Sequence, residues 1–101
     1  MTITTLKKDD QITFQLDGWL DTLSSPELGA AMDAVTATSD IILDFDKVEY
    51  IASSGVRQVV ACHRRAKELG AKFSVINVGT EVMSILQLTG LDKKIAISGK
   101  A

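Results

Sequence analysis

"VEYIASSGVRQVVACHRRAKELG", Val48 to Gly70, is the stretch on which the reading of the chain turns. A hydrophobic strand and its loop hand over to a helix at two adjacent serines and a glycine, with no base, metal ligand or acid pair beside them. Val56, Val59, Cys62, Ala66 and Leu69 recur at helical spacing, while Arg57, Arg64 and Glu68 fall on the outer face. The helix is expected to begin near Ser53 or Ser54, with one serine capping it and Gly55 easing the turn. Gly70 suits a left-handed helix end.

The elements on either side extend this pattern. "IILDF", Ile41 to Phe45, is a short apolar run typical of a strand covered on both sides or deep in a sheet, and "AKFSVINV" reads as another buried strand. "GTEVMSILQLTG" predicts a third helix, with Thr80 as cap, Val82, Ile85 and Leu86 inward and Gly90 as the stop; "KIAI" is a brief terminal strand. Upstream, Ile12, Phe14 and Leu16 alternate with Gln11, Thr13, Gln15 and Asp17, the period-two pattern of a half-buried strand. "TITTL", separated from it by "KKDD", makes an opening antiparallel hairpin. In "GWLDTLSSPELGAAMDAVTAT", Ser24 or Ser25 is the expected cap, Pro26 suits the first turn and Glu27 the positive helix end. Leu28, Ala31, Met32 and Val35 then share one face.

The order β-β-α-β-α-β-α-β predicts an α/β fold: a mixed sheet with helices packed on it and an antiparallel first pair. The loops in "YIASSG" and "DGWLDT" then leave the carboxyl ends of strands, where functional loops of such sheets gather.

With 101 residues, 46% hydrophobic and 24% charged, the chain is expected to form one domain over residues 1–101. A net charge of −2 from intermixed acids and bases argues against a nucleic-acid surface. One cysteine allows no internal disulfide and suits a reducing compartment. No apolar run approaches the roughly 20 residues that span a bilayer, so a cytoplasmic protein without direct membrane insertion is expected.

No catalytic constellation stands out. His63 and Cys62 are neighbours on a helix and point about 100° apart, a poor nucleophilic pair; a core cysteine beside a half-exposed histidine fits better. One His and one Cys offer no metal-ligand spacing. Asp9 and Asp10 suit a hairpin turn, and Asp44 and Asp46 bracket a strand end. "GTEVMS" lacks the lysine of a P-loop and "DGWLDT" the second glycine of a dinucleotide loop, so no enzyme, cofactor or metal is expected. An exposed serine without a base is a weak nucleophile but a good kinase substrate, and a helix N-terminus accommodates a phosphate of about −1.5 to −2 charges.

The stretch from Val48 to Ile97, "VEYIASSGVRQVVACHRRAKELGAKFSVINVGTEVMSILQLTGLDKKIAI", resembles the STAS domain of bacterial anti-anti-sigma factors. "LDGWLDTLSSPELGAAM" resembles the same family's second strand, loop and first helix. The serine-serine-glycine turn, the glycine-x-leucine-aspartate run from Gly18 to Asp21 and the "LTGLDK" ending carry the likeness most specifically.

The resemblance implies an anti-sigma factor antagonist that binds an anti-sigma factor, a serine kinase of GHKL type, and so frees a sigma factor. Kinase phosphorylation of the turn serine breaks the complex, and a PP2C-type phosphatase resets it. Carried onto this chain, the phosphoacceptor is Ser53 (alternatively Ser54), and Asp21, Ala52, Ser54, Gly55 and Arg57 form the partner-binding patch. Ala52 stands where the family usually has an aspartate. That departure suits the rival expectation, a constitutive and unphosphorylated STAS subunit of a larger complex such as a lipid-transport ATPase. A small-molecule sensor has least support, because no phosphate-cradling loop is visible.

Overall fold

The computed structural model describes residues 1–100. Alternation does its predicted work in β2 (Gln11–Leu20), where Ile12, Phe14, Leu16 and Leu20 are buried and Gln11, Gln15, Asp17 and Trp19 are exposed. β1 (Thr2–Lys8) pairs with it antiparallel, from Thr2 opposite Asp17 to Lys8 opposite Gln11, completing the expected hairpin. The chain continues through α1 (Ser25–Asp33), β3 (Asp40–Ile51), α2 (Ser53–Glu68), β4 (Lys72–Val78), α3 (Thr80–Leu88), a 3-10 turn (Leu91–Lys93) and β5 (Ala96–Gly99). Strand order in the sheet is β1-β2-β3-β4-β5, and every pair after the first is parallel. The predicted α/β order and mixed sheet are both present.

Each crossover advances one strand in the same direction, so connections of the usual right hand lay all the helices on one face. Between that face and the helices lies the core, in which Phe45, Leu43, Leu16, Leu28, Val59 and Leu86 are almost fully buried. Each such side chain contributes about 1.5–3 kcal/mol by leaving water. None of the described helices lies over the other face. Thr13 sits opposite Ile42 and Gln15 opposite Asp44, which in turn lies opposite Ile76. Of the two expectations for "IILDF", a place deep in the sheet holds, since β3 is its central strand, and cover on both sides does not: Ile42, like Ile76 of the strand "AKFSVINV", is half-buried on an open face. An apolar run does not distinguish a covered strand from one whose outward isoleucines lie among polar neighbours.

The capping residues of two helices differ from expectation. Ala52, not Ser53 or Ser54, holds the cap position of α2, and Gly79, not Thr80, holds that of α3. Ser24 stands at the cap position of α1, but its hydroxyl makes no cap hydrogen bond. α2 thus begins at Ser53 as expected but is capped from the residue before it, whereas α3 begins one residue earlier than a Thr80 cap implies. The helix ends agree better, with Gly70 at φ 70° and Gly90 at φ 76°. Val35 is buried just past the end of α1. Val56, Leu69 and Ile85 are only half-buried, so the inward stripes are narrower than spacing implied. β3 is much longer than "IILDF" and includes Tyr50 and Ile51, whereas the last strand begins at Ala96, after Ile95.

Cys62 is a core residue whose thiol is pushed up to about 12 by burial, and His63 lies half-buried with its ring centroid 5.8 Å from that of Phe73. Neither supplies a nucleophile. Asp44 Oδ1 accepts the Asp46 amide at 3.0 Å and the Asn77 side-chain amide at 3.1 Å, and Asp46 faces Lys100 at 3.7 Å. Both acids lie within β3 rather than at the strand end expected of them, because β3 continues to Ile51; their partners Asn77 and Lys100 lie late in β4 and just past β5.

Candidate functional site

Because β2 and β3 are parallel, they finish side by side, with Trp19 opposite Tyr50 and Leu20 opposite Ile51. The turn into α2 is built against that edge. The Ala52 amide donates to the Leu20 carbonyl at 2.9 Å, and Gly55 packs onto the same carbonyl. A Cβ at Gly55 would lie 2.4 Å from that oxygen and 2.8 Å from Ile51 Cγ1, so only glycine fits. Gly55 is buried, and its part is to seat the turn from beneath.

Seating Gly55 fixes the serines before it. Ala52 is extended, at φ −92° and ψ 170°, and has no side-chain oxygen to meet the first amides of α2. Ser54 is half-buried and its Oγ accepts a hydrogen bond from Thr22 Oγ1 at 3.1 Å. Ser53 is exposed at the first helical position, and its hydroxyl has no partner among the described residues. The two serines, alternatives for the phosphoacceptor, are thus set apart by their surroundings. Arg57 stands exposed one turn further along α2.

The loop between β2 and α1 reaches this turn through Thr22. Within it, Asp21 Oδ1 accepts the amides of Leu23 at 3.0 Å and Ser24 at 3.1 Å, while the Asp21 amide donates to Ser24 Oγ at 2.9 Å. The Ser24 amide, more than any other group, holds the Asp21 carboxyl below its ordinary value. Asp21 therefore braces its own loop with one oxygen. No described residue hydrogen-bonds to the other.

Sequence reasoning missed the apolar surface around the site. Leu23 is 88% exposed, Trp19 57% and Tyr50 45%, and the two rings lie 5.5 Å apart at 55°. For Trp19 a signal existed, because alternation carried past Leu16 puts Leu20 inside and Trp19 outside. For Tyr50 it did not: register shifts between β2 and β3 leave β3 with extra residues near its end, and simple alternation loses count there. Two neighbouring exposed aromatic rings and a bare leucine suit a protein-binding surface. The described residues hold no cluster of three potential metal ligands, and none of their helices is long and apolar enough to cross a membrane.

Comparison with known proteins agrees with this architecture. The family model described as "STAS domain" matches residues 2–100. Among solved structures, an anti-sigma factor antagonist from Mycobacterium paratuberculosis is similar at 24% identity and TM-score 0.86, over 96% of this chain and 84% of that one. The anti-sigma factor antagonist SpoIIAA in its unphosphorylated form gives 17% identity and TM-score 0.75, over 99% and 89%. A sulfate transporter family protein from Wolinella succinogenes gives 13% identity and TM-score 0.82, over 92% and 80%. At these identities the likeness is one of fold.

Proposed function

The chain belongs to the STAS domain family, and from that premise we propose that it is an anti-sigma factor antagonist, a binding switch rather than an enzyme. It binds an anti-sigma factor serine kinase of GHKL type through the face formed by Asp21, Ala52, Ser53, Ser54 and Arg57, bordered by Trp19, Leu23 and Tyr50. Phosphorylation of Ser53 releases the partner, and a PP2C-type phosphatase restores binding. The observation that carries this reading is the free, exposed hydroxyl of Ser53, with the neighbouring Ser54 already engaged by Thr22.

Physical chemistry supports release through the interface. A phosphate at the first position of α2 meets the positive end of the helix, so the domain tolerates its roughly −1.5 to −2 charges. A partner packed on the same face meets that charge and bulk with no such compensation. Hence the fold survives and the complex does not.

A second reading is favoured by Ala52, which leaves no carboxylate beside the acceptor, and by the fold similarity to a sulfate transporter family protein. In it the chain is a constitutive, unmodified subunit of a larger complex such as a lipid-transport ATPase. The deciding experiment incubates the protein with its candidate kinase and ATP and maps phosphate by mass spectrometry, with Ser53→Ala as control. One phosphate on Ser53, with loss of the complex, is the expected result. An unmodified protein in a complex stable to ATP would favour the subunit.

A further inference from the structure

On the helical side of the molecule, away from the sheet's open face, α2 and the segment after α3 border an open groove of ≈ 460 Å³. Val56 and Val60 line it from α2, and Leu91 and Ile95 from the other wall. All are aliphatic. The remaining lining groups are His63, Lys67, Thr89 and Lys94. No carboxylate lines it, although the chain as a whole carries a net charge of −2. Neither lysine is in an ion pair among the described residues, where Lys100 with Asp46 makes the one salt bridge. The Thr89 hydroxyl is spent on the Leu86 carbonyl at 2.8 Å.

We propose that this groove binds a small anionic amphiphile, a carboxylate on an unbranched aliphatic chain. The volume falls within the roughly 300–1,000 Å³ of small-molecule sites, and an aliphatic lining with few convergent polar groups is their usual composition. The half-buried Val56 and Val60, with the almost fully buried Leu91 and Ile95 across from them, match an alkyl chain, and Lys67 and Lys94 match its carboxylate. Burial, and then the Lys67 charge, hold the His63 pKa below its ordinary value, so near neutral pH the ring hydrogen-bonds while the lysines carry the charge. Ser53, Val56, Val60, His63 and Lys67 follow one stripe of α2 at intervals of three and four residues. The groove thus shares a helix face with the proposed phosphoacceptor. It is nevertheless a separate site, and its occupancy does not depend on the switch reading.

The test is a titration of the 15N-labelled full chain with sodium octanoate, followed by amide chemical shifts, with 1-octanol as the uncharged probe. Saturable one-to-one shifts centred on Val56, Val60, His63, Leu91 and Ile95 are expected. A Lys67→Glu, Lys94→Glu double variant, altered only at exposed positions, should keep its fold and bind octanoate about tenfold or more weakly. Octanol should bind wild type more weakly than octanoate and ignore the charge reversal.

Shifts elsewhere, no saturable shift, or equal binding of octanol and octanoate would each overturn the proposal. So would groove shifts that depend on protein concentration alone, which would make a second copy the occupant. The proposal also fails if octanoate is silent and the partner kinase perturbs these amides, since the groove would then belong to a protein interface.

Discussion

The chain contains two serine pairs at the same edge of the sheet, and they are used in opposite ways. Ser24 and Ser25 are 5% and 6% exposed, and their hydroxyls donate to the carbonyls of Trp19 and Asp21 at 2.6 Å each. Ser54 is half-engaged through Thr22, and Ser53 is free. Two identical dipeptides thus become a structural brace and a presented surface. What separates them is the surrounding chain. The first pair enters α1 from a tight loop whose carbonyls and amides need partners. The second pair starts a helix directly off a strand, where backbone pairing and Gly55 already hold the turn.

The contrast breaks first if Gly55 is changed. Gly55→Ala places a methyl group into the Leu20 carbonyl, and the expected cost is about 3 kcal/mol by urea denaturation, at the upper end for overpacking because the obstruction is backbone. Alanine favours a helix over glycine by up to about 1 kcal/mol, so a stabilised Gly55→Ala variant would mean that α2 is not seated on β2 in this way.

Next in size is Ser24→Ala, which leaves the Trp19 carbonyl and the Asp21 amide without their partner. A loss of about 2 kcal/mol is expected. The same loop predicts a pH dependence. The folded Asp21 carboxyl titrates below its ordinary 3.8, so its contribution is present above that pH and is lost as pH falls through the folded value. Measured from pH 7 downward, the stability gap between wild type and Asp21→Asn should close in that acid range. A gap unchanged with pH would show that the ionised carboxylate does not hold the loop.

These effects bear on what the sequence made legible. Element order, the antiparallel first pair and the glycine helix stops at 70 and 90 were readable, since each rests on a local pattern. The cap positions were not. Serine composition marks a helix start to within a residue or two, but the backbone path off the preceding strand decides which residue is extended, and at Ala52 it chose one that cannot cap. The open sheet face was hidden because Ile42 and Ile76 look like core. The groove was hidden because its walls, near Val60 and Leu91, are far apart in the chain. Of the candidate site, the adjacency of the turn and the loop before α1 could be expected from the sequence, whereas the exposed ring of Tyr50 required the register of β3.

Ala52→Asp tests the contrast from the other side by giving the second pair the kind of brace the first pair has. An aspartate at the extended cap position can accept an amide hydrogen from the first turn of α2 and meet the positive helix end. The expected gain is about 1 kcal/mol. For a domain of this size that raises Tm by about 4–8 °C. Under the proposed function the substitution also restores a carboxylate beside the acceptor, so kinase labelling of Ser53 should rise. Greater stability with unchanged labelling would confine the role of position 52 to the fold.

The smallest expected effect is the most informative about the comparison. Ser53→Ala removes a hydroxyl that holds nothing within the chain, so stability should change by less than about 0.5 kcal/mol. Partner affinity of the unmodified protein should fall only modestly, while ATP-dependent release should be abolished. A Ser53→Ala variant destabilised as much as Ser24→Ala would mean that both serine pairs are braces. Exposure at the first position of α2 would then be incidental, and the case for Ser53 as the point of regulation would lose its physical basis.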